Sequence, residues 1–171
     1  MTTYASVLRV SALLLVGRHV AGATALPAGA CSPPTYRIHQ QAREEDHLAG
    51  TRVIITAVRG VLVLSGTVHR YSQKLRYEQI AWQTPDVREV ENRIRVEPLM
   101  PVSDGDIRRQ IVEILLASPR LHGAVTRIDV RRGSVRLAGT FHDPADVFFL
   151  THRVAEVDGV LDLQIAAGFP V

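Results

Sequence analysis

Apolar and polar residues alternate with a period of two on either side of two dipeptides, Arg59-Gly60 and Arg132-Gly133. That period sends successive side chains to opposite faces of a strand, and Gly readily takes the φ > 0 of a tight turn, so each stretch predicts a β-hairpin. In the second hairpin Ile128, Val130, Val135 and Leu137 share one face, and Arg127, Asp129, Arg131, Ser134 and Arg136 share the other. In the first, Val53, Ile55, Ala57, Leu62 and Leu64 form the inward face. Its opposite face carries Ile54, Thr56, Val58, Val61 and Val63. An apolar outer face on so small a sheet is expected to be covered, by the second hairpin's unit or by another protein.

The segments flanking the hairpins have helical spacing. Ile107, Ile111, Ile114 and Leu115 recur at i, i+4, i+7 and i+8, with Ser103 or Asp104 as cap and Pro119 as stop. A shorter and more polar helix over 36–47, with Ile38 and Ala42 on its apolar side, precedes the first hairpin. Helices over 72–83 and 144–157 follow the hairpins, the latter opened by Asp143 and by Pro144 at its first position. Val147, Leu150, Val154 and Val157 define its buried stripe, leaving Phe148 and Phe149 off centre. Leu75 and Trp82 raise the same question on the earlier helix. Such residues are either exposed or wrapped around a core edge or an interface, and the second case is the commoner one.

These patterns are copies of each other. At a constant offset of 73, the distance from Gly60 to Gly133, the chain matches without a gap at Leu48/Leu121, Gly50/Gly123, Ile55/Ile128, Leu64/Leu137, Gly66/Gly139, Thr67/Thr140, His69/His142 and Val87/Val160. The chain is therefore a tandem repeat. A unit of roughly 65 residues buries only about 60% of its unfolded surface and is marginal alone, so the two are expected to pack together.

At these residues the sequence resembles the BON domain (bacterial osmotically induced and nodulation). The family's strand ending in Leu-x-Gly-x-Val corresponds to Leu64-Ser65-Gly66-Thr67-Val68, and its Val-x-x-Val-x-Asn-x-Ile-x-Val to Val87-Arg88-Glu89-Val90-Glu91-Asn92-Arg93-Ile94-Arg95-Val96. The second copy has Leu137-Ala138-Gly139-Thr140-Phe141 and then Val157-Asp158-Gly159-Val160, with Ile165 in place of the Asn. The resemblance spans roughly residues 36 to 168. It implies an α+β fold of two tandem sandwiches, each a small mixed sheet with two helices on one face. It also implies envelope proteins that bind phospholipid, without catalytic residues.

Composition removes several function classes. The net charge is +3, from 20 basic and 17 acidic residues, which is mild for a nucleic-acid binder, and no nucleic-acid partner is expected. Lys74 is the sole lysine, so the positive charge is almost all Arg. The seven histidines include the equivalent pair His69 and His142, and His47 beside Glu44, Glu45 and Asp46, but no His-x-x-x-His or Cys pair exists. Neither a metal site nor a cofactor is expected. No Gly-x-Ser-x-Gly elbow or phosphate-cradling Gly loop occurs, and no enzyme is read here.

Residues 1–30 are expected to be an export signal: Arg9 precedes the apolar run 10–17, too short to span a bilayer, and small residues follow over 21–30. Cys31, the only cysteine, follows Ala28-Gly29-Ala30, which resembles a bacterial lipobox and makes Cys31 the candidate lipid-attachment residue. The alternative is ordinary cleavage near Ala23 or Ala25. Residues 31–35 then form a tether, 36–97 the first domain, 98–102 a Pro-containing linker and 103–171 the second domain. The expected location is the periplasm, anchored to the outer membrane. Two functions follow. Arg127, Arg131, Arg132 and Arg136 form a candidate face for an anionic phospholipid surface, supporting the envelope. Alternatively Ile54, Val58 and Val63 form an interaction face for an envelope protein or for self-association, in a scaffold or chaperone-like stress role.

Overall fold

The computed structural model describes residues 33–170. Each unit runs helix, strand, strand, helix, strand. The first comprises α1 (Pro34–Arg43), β1 (Arg52–Val58), β2 (Val61–Val68), α2 (Tyr71–Gln83) and β3 (Glu89–Val96). The second comprises α3 (Asp104–Ala117), β4 (Val125–Arg131), β5 (Ser134–Thr140), α4 (Pro144–Ala155) and β6 (Asp162–Gly168). The fold is α+β, with two mixed three-stranded sheets ordered β1-β2-β3 and β4-β5-β6.

The hairpins close through two-residue turns in which both residues have positive φ: Arg59 at 51° with Gly60 at 83°, and Arg132 at 50° with Gly133 at 73°. Such a turn matches the right-handed twist of two adjoining strands. β3 lies parallel to β2, and β6 to β5, a pairing that needs a crossover; α2 and α4 supply it. The turn glycine also starts the third strand, since Gly60 O accepts from Arg88 N at 2.9 Å and Gly133 O from Leu161 N at 2.8 Å. Gly66 and Gly139 repeat for a steric reason. A Cβ at Gly66 runs into the carbonyl oxygen of Arg52, and one at Gly139 into that of Ala124.

The helices cover one face of each sheet. Ile38, Leu62, Leu64, Ile80 and Ile94 are buried in the first unit, and Ile107, Ile111, Leu137, Leu150 and Ile165 in the second. Ile165 pairs with Leu137 in the register that Asn92 keeps with Leu64, so the exchange of Asn for Ile leaves the last strand in place. Asn92 donates to Glu78 Oε2 at 3.0 Å, whereas Ile165 fills the core instead. Ser103 and Asp143 cap α3 and α4, accepting from Asp106 N and Ala145 N.

Two local expectations change. The first helix is not 36–47: it opens at Pro34, where a missing N–H costs nothing, and stops at Arg43, followed by a 3-10 turn, Asp46–Leu48. Glu45, between the two, is drawn to Arg76 of α2, with Nε to Oε2 at 2.8 Å. Ala57 belongs to the inward register yet is exposed at the end of β1.

The two units do pack together, but through α2 rather than through the open face of the first sheet. Tyr71 is buried in the second unit's core, and Leu75 and Val96 pack against that core. Arg70 Nε meets Asp158 Oδ1 at 2.9 Å beside them.

Candidate functional site

Past a bulge between Val125 and Arg127, the outward register of β4 and β5 carries Arg127, Asp129, Arg131, Ser134 and Arg136, as the alternation requires. All the arginines of this set, and Arg132 at the turn, are exposed. Arg131 Nε contacts Asp129 Oδ1 at 3.2 Å, and Asp129 stands opposite Arg136 across the ladder. Among the described residues Arg127, Arg132 and Arg136 make no ion pair. The turn itself is held from below: Asp104, at the start of α3, accepts from Arg132 N at 2.8 Å and Gly133 N at 2.9 Å. Those two amides, Gly133 first, keep the Asp104 carboxyl below its ordinary range. The result is a row of guanidinium groups on a rigid hairpin, each able to give paired N–H donors to a phosphate oxygen.

On the first sheet, Ile54 and Val58 are 64% and 63% exposed, and Val63 is half-buried beside them. The second unit does not cover this face, because its contacts lie along α2. Of the two covers the sequence called for, only a separate protein surface remains open.

The aromatic residues divide. Phe149 packs at the edge of the second core, with the Arg120 guanidinium 5.0 Å from its ring centroid and Arg120 also bound to Asp146 at 2.5 Å. Phe148, one residue earlier, is exposed. Leu75 packs into the seam between the units, whereas Trp82, two turns along, is exposed. Sequence reasoning passed over Leu116, 71% exposed on α3; its place four residues after Val112, off the Ile107-Ile111 stripe, was the available signal.

Between the units a cleft of about 730 Å³ is lined by His47, His69, Arg70, Arg76, His152 and Glu156 among others. Its charged groups are already engaged: Arg76 with Glu45, Arg70 with Asp158 and Glu156 with Arg153, while His47 Nε2 lies 3.4 Å from Glu45 Oε2. The Arg76 hydrogen bonds hold the Glu45 carboxyl below its ordinary range. Among the described residues no three His, Cys, Asp or Glu converge on a point that a metal could occupy, and no helix is long and apolar enough to cross a membrane. Cys31 lies outside the described residues.

A family model described as "BON domain" matches residues 35–98 and again 103–164. No curated protein matches the chain. Two solved structures are distantly similar, both of CdsD, a structural protein of the type III secretion system of Chlamydia trachomatis. One is 11% identical, covering 79% of this chain and 91% of that one with a TM-score of 0.36. The other, of its C-terminal domain, is 14% identical, covering 77% of this chain and 63% of that one with a TM-score of 0.30. Likeness at that level bears on neither fold nor role.

Proposed function

The chain belongs to the BON-domain family, whose domains are associated with phospholipid binding and envelope proteins and are generally non-enzymatic, and on that premise we propose that it binds an anionic phospholipid surface through the outer face of β4 and β5. The observation that supports this is the exposed row Arg127, Arg131 and Arg136, with Arg132 on a turn clamped by Asp104. Near an anionic leaflet each basic residue gains about 1 kcal/mol, so the four supply about 4 at most, and Asp129 subtracts from that. This is too little to hold a free protein, but it suffices to orient one that a lipid already keeps at the surface. Cys31 is the residue proposed to carry that lipid, which sets the protein at the periplasmic side of the outer membrane in a role supporting the envelope.

The test is sedimentation of residues 33–171 with anionic vesicles at low salt. The parent is expected to sediment, and to be released as salt screens the contact. Replacing Arg127, Arg131 and Arg136 together by Glu is expected to abolish sedimentation while circular dichroism stays unchanged. A parent that ignores anionic vesicles at low ionic strength overturns the reading. Cys31→Ser in the full chain is expected to move the protein from the membrane fraction to the soluble periplasm.

A second reading is supported by the exposure of Ile54 and Val58. Apolar side chains grouped on an open sheet face suit contact with another protein surface.

A further inference from the structure

The outer face of the first sheet is amphipathic from side to side. The rows across it, from β1 through β2 to β3, are Val58, Val61, Glu89; then Thr56, Val63, Glu91; then Ile54, Ser65, Arg93; then Arg52, Thr67, Arg95. The hairpin side thus carries Ile54, Val58, Val61 and Val63 among Thr56, Ser65 and Thr67, with Arg52 at one end. The β3 side is fully charged and exposed, with acids at one end of the strand and arginines at the other. Arg93 meets Glu91 at 2.7 Å and Arg95 reaches Glu97, just past the strand, at 4.0 Å, which leaves Glu89 as the member of the row without an ion pair among the described residues.

The charge order along β3 is self-complementary. Two such faces laid together about a two-fold axis in the interface, perpendicular to the strands, keep hairpin over hairpin and β3 over β3 while reversing strand direction. The reversal sets Glu89 and Glu91 against Arg95 and Arg93 of the second copy, and the symmetry makes every such pairing twice. Thr56 and Val63 then lie over Ile54 and Ser65, Thr67 lies over Val61, and the aliphatic stem of Arg52 lies over Val58. An unrelated partner has to bring both an apolar strip and an oppositely ordered charge row. A second copy has both by symmetry.

We propose that the chain self-associates through this face, as a pair of first sheets stacked at the ordinary spacing of about 10 Å. The inference rests on the reading of the Ile54 and Val58 face as an interaction surface, and it names the occupant. Three strands about 4.8 Å apart make a small footprint, so the dimer is weak and concentration-dependent. Concentration at a membrane surface raises its population.

The test uses charge reversal in sedimentation velocity. The parent is expected to shift from monomer to dimer as concentration rises toward the millimolar range. Glu91→Arg alone and Arg93→Glu alone are each expected to stay monomeric, because each sets like charges together twice. Mixed in equal amounts, the two variants are expected to form a heterodimer. Position 91 of each copy faces position 93 of the other, and in the mixed pair each such meeting joins one arginine to one glutamate. A parent that is monomeric at millimolar concentration, or mixed variants that stay monomeric, overturns self-association. A photocrosslinking residue at position 58 of the full chain in cells separates this failure from failure of the face itself. Product at twice the chain's mass is expected. Crosslinks solely to another polypeptide or within one chain overturn the dimer but leave the face occupied, and no product at all removes the interaction surface too.

Discussion

Tyr71, at the start of α2 in the first unit, is buried in one core cluster with Leu163 of β6 in the second. The residue belongs to one repeat by sequence and to the other by burial, at 8% exposure inside the second core. Replacing it by Ala should cost about 3 to 5 kcal/mol, as for other large buried aromatics, and should loosen both units together. Arg70→Ala, which removes the neighbouring ion pair from side chains about half exposed, should change stability by under about 1 kcal/mol. Urea unfolding of the two variants, followed by probes in each unit, checks the contrast. A Tyr71→Ala variant in which the second unit keeps its midpoint sinks the shared-core account.

Burial, with Asp162 and Glu78 nearby, pushes the Tyr71 phenol up to about 12. The folded value lies above the unfolded one near 10, so the neutral phenol's stabilisation is complete below about pH 10 and fades as pH rises toward 12. A rise of this size corresponds to about 3 kcal/mol. Tyr71→Phe keeps the ring and removes the titration. Stability measured from pH 8 to 11.5 should therefore fall less steeply in Tyr71→Phe than in the parent, and identical slopes refute the assignment.

Gly139→Ala should be severely destabilising, by more than about 2 kcal/mol, because its Cβ meets the backbone of Ala124 and β4 has no room to retreat from β5. Gly50 has open space around it and is constrained only by φ of 79°, so Gly50→Ala should cost about 1 kcal/mol. Thermal unfolding of the two separates a steric glycine from a conformational one.

Asp104→Asn leaves one acceptor oxygen where the carboxylate offers two, so one of the amides of Arg132 and Gly133 loses its partner. Hydrogen exchange at that turn should accelerate with the rest of β4 and β5 unchanged. Because the folded Asp104 carboxyl lies below its ordinary 3.8, its contribution is present above that value and is lost as pH falls through the folded one. The acid side of the stability curve should be shallower in the variant. Unaltered exchange at both Arg132 and Gly133 argues against the clamp.

Val58→Asp should leave the melting temperature of dilute protein within a few degrees of the parent, since the side chain is 63% exposed and the second unit does not reach it. A large loss of stability in the monomer shows that the face is covered from within the chain.

Much of each unit was legible in the sequence because it is set by short-range rules. Strand alternation fixes which of Ile128 and Arg127 faces inward. Arg59-Gly60 and Arg132-Gly133 dictate their turns through φ, and Ser103 and Asp143 cap helices through one bond each. The repeat at offset 73 then carries the registers of β1, β2 and β3 onto β4, β5 and β6, except at the bulge between Val125 and Arg127. What only the tertiary structure decided is where one unit meets the other. Periodicity ranks residues by apolar face, but it cannot say which neighbour a face will find. Tyr71 and Leu75 therefore went to the second unit while Trp82 stayed exposed, and Phe149 was taken up at a core edge that Phe148 misses. The same limit applies to Ile54 and Val58: the sequence called for a cover because apolar surface favours burial, and the docking of α2 against α4 and the second core left that face open.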